Sequence, residues 1–189
     1  MLCRILSPLL LVMLWLPLVA AGAASAAGID VAVQVDGSAV QVDVNLTVPA
    51  TPPEVWAVLT DFGHMPDFVS NLSSSQVLSR EGNLLLVAQK GKASLGPLSF
   101  DFESIREIQL TPFELIRTRQ IGGNLKKFEG ITRLSGDKGQ THIHHHSDAI
   151  SSVWIPPLVG RKFIANETRE QFAEMREEIL RRKQSGEKP

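Results

Sequence analysis

The sequence predicts an α+β domain in which several antiparallel strands, joined by short turns, are followed by a long helix. Three observations carry this. Val42, Val44, Leu46 and Val48 alternate with Asp43, Asn45 and Thr47, the period of a half-buried strand. That strand runs into Thr51-Pro52-Pro53-Glu54, where Thr51 is an N-cap candidate and the prolines suit a first helical turn. From 73 to 151, alternating segments are punctuated by Glu81-Gly82-Asn83, Thr111-Pro112, Gly122-Gly123-Asn124 and Gly136-Asp137-Lys138-Gly139.

Taken in order, the chain opens with a leader. Arg4 is followed by an apolar run from Ile5 to Val19 and by Ala24-Ser25-Ala26, the pattern of a secretory signal cleaved after Ala26. Periplasmic or secreted localisation is the expectation, with a retained membrane anchor as the alternative. Cys3, the only cysteine, leaves with the leader. The remainder then offers no disulfide, thiolate or Cys-ligated metal. Removing residues 1–26 takes one base and no acid from 19 basic and 20 acidic residues, leaving a formal charge of about −2. That balance is no footprint for nucleic acid.

One domain over 27–184 is expected, with a polar tail over 185–189. Ile29–Val35 and Ala39–Val48 read as strands about the Asp36-Gly37 hairpin turn. Val55, Val58, Leu59 and Phe62 recur at helical spacing until Met65-Pro66 stops the helix. Further strands are read at 73–79, 84–88, 98–110, 113–121, 125–134 and 141–151. Pro156-Pro157 opens the last helix, which continues to about Lys183. Val159, Phe163, Phe172, Met175 and Ile179 form its apolar stripe, with the Glu177–Arg181 and Glu178–Arg182 pairs on its wet side.

The run Pro-Ala-Thr-Pro-Pro-Glu-Val-Trp-Ala-Val-Leu-Thr-Asp-Phe at 49–62, then Met-Pro-Asp-Phe-Val-Ser-Asn-Leu at 65–72, resembles the opening of the START-like (SRPBCC) superfamily. More narrowly it resembles the polyketide cyclase/dehydrase and Coq10-like branch. Gly123-Asn-Leu-Lys-Lys-Phe-Glu-Gly130 and Pro156-Pro-Leu before the last helix fit the same branch, and the resemblance covers roughly 42–182. It implies a helix-grip fold, a curved antiparallel sheet wrapped around the C-terminal helix.

A sheet curled on a helix leaves a gap lined by inward parity. The expected lining is Leu84, Leu86, Phe100, Phe102, Leu115, Phe128, Thr132, Ile143, Phe163 and Phe172, the profile of a hydrophobic or lipid-like ligand site or of an ordinary core. Gly130 falls where a close backbone approach is needed. His145, inward by parity, is the candidate acid or base for cyclase or dehydratase chemistry. Arg117 or Arg119 could clamp a carboxylate if inward, although outward placement is the commoner fate of arginine. His142, His144 and His146 share the outer face, where zinc is a weak alternative to a solvated histidine face. No cofactor motif, nucleophile elbow, phosphate loop or HExxH is present. An interaction module that uses a sheet edge or the wet helix face is the third alternative.

Overall fold

The computed structural model describes residues 28–95, 98–137 and 139–186. The expected leader therefore lies outside the described residues. Eight strands form one antiparallel sheet: β1 (Ile29–Asp36), β2 (Ala39–Val48), β3 (Leu72–Glu81), β4 (Leu84–Leu95), β5 (Leu98–Thr111), β6 (Leu115–Gly123), β7 (Lys127–Asp137) and β8 (Gln140–Ile150). Helix α1 (Pro52–Leu59) and a 3-10 turn (Met65–Asp67) separate β2 from β3, and α2 (Pro157–Ser185) ends the chain. The sheet order is β1-β2-β8-β7-β6-β5-β4-β3. This is the helix-grip arrangement, with a curved sheet closed by a long C-terminal helix.

Local chemistry explains the boundaries. The Glu54 carboxylate accepts from the Thr51 amide at 2.6 Å and the Thr51 hydroxyl at 2.8 Å, which fixes the start of α1. Helix α2 extends slightly past its expected end. Ser185 is its last residue, and Gly186 supplies the left-handed C-terminal position at φ 70°. Phe113, expected in a strand, instead sits in the β5–β6 turn at φ 66°, with its ring edge-on to Trp56 at 5.8 Å.

Both edges of the sheet reach α2. The helix lies along β1. On the other side Glu174 accepts from the Ser70 amide and Glu167 from the Asn71 side chain, just ahead of β3. At its C-terminal end Arg182 binds Asp61 at 2.8 Å and Glu178 at 2.6 Å, and Lys183 donates to the Pro49 carbonyl. Glu178 and Arg182 were expected on the wet side. Instead Glu178 is buried, and the pair ties α2 to the chain after α1.

The core is concentrated at the α1 end of the sheet. Val48, Val55, Val58, Val87 and Thr141 are fully buried there, with Leu85, Ile108, Leu110, Ile116, Leu134 and Ile143 beside them.

Candidate functional site

Strand parity determines which side chains face α2. On β8 the inward set is Thr141, Ile143, His145 and Ser147, matched across the β7 register by Gly136, Leu134, Thr132 and Gly130. The register continues through Ile116 and Thr118 of β6 to Leu110 and Ile108 of β5, and then to Leu85 of β4. Phe128, Thr132, Ile143 and His145 therefore face inward as expected.

Three expected lining residues, and both candidate arginines, do not. Leu84 and Leu86 alternate with buried Leu85 and Val87, so they occupy the outer face. Leu115 and Arg117 flank buried Ile116 and also point outward, as does Arg119, which pairs with Glu107 at 2.9 Å. The physical reason is the hydrogen-bonded register with β5, which seats Leu110 opposite Ile116 and so commits the even positions of β6 to the interior.

Away from the packed end the same inner face changes character. Phe102, Arg106, Thr118, Gln120, Phe128, Thr132 and His145 lie on inner positions of the sheet yet are only partly covered. Side chains retaining accessible surface at such positions mean that α2 does not fill the space beneath it. At the outer rim of this hollow, Phe100 of β5 meets Phe163 of α2 with ring centroids 6.0 Å apart. Deeper in, Phe172 lies 5.5 Å from the His145 ring.

The polar group that dominates the hollow is Arg106. Its guanidinium lies 4.7 Å from the centre of the Phe128 ring, a cation–π contact. Burial pulls its pKa down to about 10, and no carboxylate among the described residues offsets it. Arg106 Nε, Gln120 Oε1 and Ser104 Oγ are all buried without a protein partner. Arg106 and Gln120 are register partners, and Ser104 is two residues along β5 on the same face. Buried polar atoms are normally satisfied, so three atoms in one patch without a protein partner are unusual.

His145 adjoins this patch. Its Nδ1 shares a hydrogen bond with the Thr132 hydroxyl at 2.8 Å. Burial is the main reason that its pKa falls to about 4, with the charges of His146 and Arg106 adding to the effect. The imidazole is therefore neutral at pH 7. Among the described residues no carboxylate hydrogen-bonds to it.

On the outer face the histidines take other partners. His146 bonds Asp43 at 2.7 Å and Asp148 at 3.2 Å, and His142 Nδ1 meets the Thr47 hydroxyl at 2.8 Å. Both ring nitrogens of His146 are thus engaged. Among the described residues no group of three His, Cys, Asp or Glu side chains is placed to hold a metal ion. A half-open groove of about 690 Å³ runs past His142, His144, Asn45, Thr47 and Arg133 on this face.

Arg106 is the residue that sequence reasoning missed. The signal was available, because the parity that turns Phe100 and Phe102 inward continues through Ser104 to Arg106.

The fold recurs in solved structures at low identity. The Zhui aromatase/cyclase of Streptomyces sp. R1128 is 18% identical with a TM-score of 0.63, covering 80% of this chain and 99% of its own. A STAR-related lipid transfer protein of Xanthomonas axonopodis is 10% identical with a TM-score of 0.64, covering 81% and 99%. Human StAR-related lipid transfer protein 5 is 12% identical with a TM-score of 0.60, covering 82% and 88%. No curated protein matches the sequence. Residues 48–176 match the family described as polyketide cyclase / dehydrase and lipid transport, and the chain belongs to it.

Proposed function

We propose that this protein binds an amphipathic small molecule, apolar in body and anionic or carbonyl-bearing at one end, in the hollow between the sheet and α2. The observation that carries this reading is Arg106, partly covered but with its Nε buried and with no acidic partner among the described residues, flanked by the orphaned polar atoms of Ser104 and Gln120. A buried charge is tolerable when something pairs with it. A guest carboxylate, enolate or polarised carbonyl oxygen supplies that pairing, while Phe102, Phe128, Phe163 and Phe172 cover its apolar body. Lipid-transfer proteins and aromatase/cyclases both occur among the structural neighbours, and either kind of cargo fits this description.

Binding is favoured over catalysis by the state of His145. With a pKa of about 4 and no orienting carboxylate, it is a weak base and is unprotonated as an acid at neutral pH. Its role in this reading is to donate or accept one hydrogen bond. Export through the leader over residues 1–26 completes the proposal and places the carrier in the periplasm or outside the cell.

The purified protein is equilibrated with a lipid extract, and retained molecules are identified by mass spectrometry. Acidic or carbonyl-bearing amphiphiles should be enriched. Arg106→Met should weaken their retention by roughly 10- to 100-fold, the scale of a charge-assisted hydrogen bond. Equal retention by the variant, or retention of plain hydrocarbon alone, would refute the assignment.

A further inference from the structure

We propose that the end of the molecule formed by the β8–α2 loop and the first turn of α2 is a docking surface for an anionic lipid bilayer. This goes beyond the ligand reading and stands without it, since a protein with an empty hollow would dock equally well.

Four large apolar side chains are displayed here within seven residues. Val153 and Trp154 are each 66% exposed, Val159 is 57% exposed and Leu158 is 83% exposed. Single exposed apolar residues are ordinary, but a cluster on one protruding segment is not. The segment is held in place. The Ile155 amide donates to the Gly37 carbonyl, and the Ser152 hydroxyl donates to the Asn124 carbonyl. A Cβ on Gly160 would strike Ile155 at 2.1 Å. These contacts gather the β1–β2 turn, the β6–β7 turn and the start of α2 at one end, where Ile121 is also exposed.

Charge selects the partner. Lys126, Arg161 and Lys162 are exposed here and form no ion pair among the described residues. On the helix, Arg161, Leu158, Lys162 and Val159 fall within an arc of about 160° at 100° per residue, so cations and apolar side chains share one side. The first turn of α2 contains no acid. Near this end Asp101 and Glu103 each face a lysine of β4 and Glu129 pairs with Lys127, while Asp36 is exposed in the β1–β2 hairpin. Apolar side chains interspersed with unpaired cations, with an indole among them, suit the headgroup layer of a bilayer. A two-fold contact with a second copy would bring Arg161 and Lys162 of both chains together, which disfavours that occupant. No helix among the described residues is long and apolar enough to cross a membrane, so docking is to the surface.

The test uses the full chain with vesicles of phosphatidylcholine alone or mixed with phosphatidylglycerol, both carrying brominated lipid. Quenching by bromine is compared between the wild type and Trp154→Phe, and the difference reports Trp154 alone, whatever the leader does. On mixed vesicles Trp154 should be quenched. Replacing both Leu158 and Val159 by Ser should abolish that quenching. Arg161→Glu with Lys162→Glu should weaken binding at least tenfold, from roughly fivefold per cation near an anionic surface. These side chains are solvent-facing, so thermal melts should be unchanged. Three results would each overturn the proposal: an unquenched Trp154 on mixed vesicles, quenching that survives both pairs of substitutions, or concentration-dependent self-association that shields Trp154 without lipid.

Discussion

Arg106 is a side chain that opposes stability and, in the proposed function, serves binding. Its charge is desolvated, its Nε is unpaired, and only the Phe128 ring returns part of the cost. Replacing such a group with an apolar residue of similar length removes the desolvation penalty. Arg106→Met is therefore expected to raise the stability of the ligand-free protein by about 1–3 kcal/mol, read from denaturant midpoints, while weakening ligand retention. Stability lost in the variant would mean that the guanidinium is better satisfied than its geometry indicates.

His145 and His146 are sequence neighbours with opposite linkage, because successive strand residues face opposite sides. His145 is depressed from 6.5 to about 4, mainly by burial, so between those values the unfolded chain binds the proton and the folded one does not. Its share of stability is complete above pH 6.5 and is lost as pH falls toward 4, with a slope approaching ~1.4 kcal/mol per unit. His146 is raised by its hydrogen bond to Asp43, so its contribution is present at low pH and fades as pH rises through its folded pKa. Chemical denaturation from pH 7 to 4 should show a steeper loss in the wild type than in His145→Gln. Parallel curves would remove the buried neutral imidazole from the account.

At the scale of elements, legibility depended on whether a strand's two faces differ. On β2 and β8 apolar and polar residues alternate, and both inward faces were readable. On β4 the run Leu84-Leu85-Leu86-Val87-Ala88 is apolar on both sides, so composition offers no preference and pairing with β5 decides. On β6 Leu115 and Ile116 compete in the same way. The histidines of β8 are conspicuous in sequence, whereas Arg106 is one more charge in the polar pattern Glu-Ser-Ile-Arg-Glu. A desolvated arginine is legible only through the parity of its whole strand.

Strand β4 also carries a steric requirement. A Cβ on Gly91 would lie 2.1 Å from the Asn71 carbonyl oxygen and 2.4 Å from the Phe102 ring. The backbone contact cannot yield without breaking the Lys92 amide bond to that same carbonyl at 2.9 Å. Gly91→Ala should therefore cost at least ~1–3 kcal/mol, the range for overpacking, and should move Phe102 at the rim of the hollow. An unchanged melting temperature would contradict the close approach.

Over the whole molecule, the C-terminal helix is secured unequally along its length. Arg182, Glu178 and Asp61 bind its last turns, and Phe172, Ala173 and Ile179 are buried in that half, whereas Gly160 is the only buried residue before Phe172. Amide hydrogen exchange should accordingly be faster over 157–170 than over 171–185, since local opening follows burial. A uniform rate would mean that the helix moves only as a unit. For the ligand-binding function proposed above, the mechanical consequence is a door with its hinge already chosen: a guest would pass at the Phe100–Phe163 rim while the far end stays bolted, and the chain would not have to unfold to be loaded or emptied.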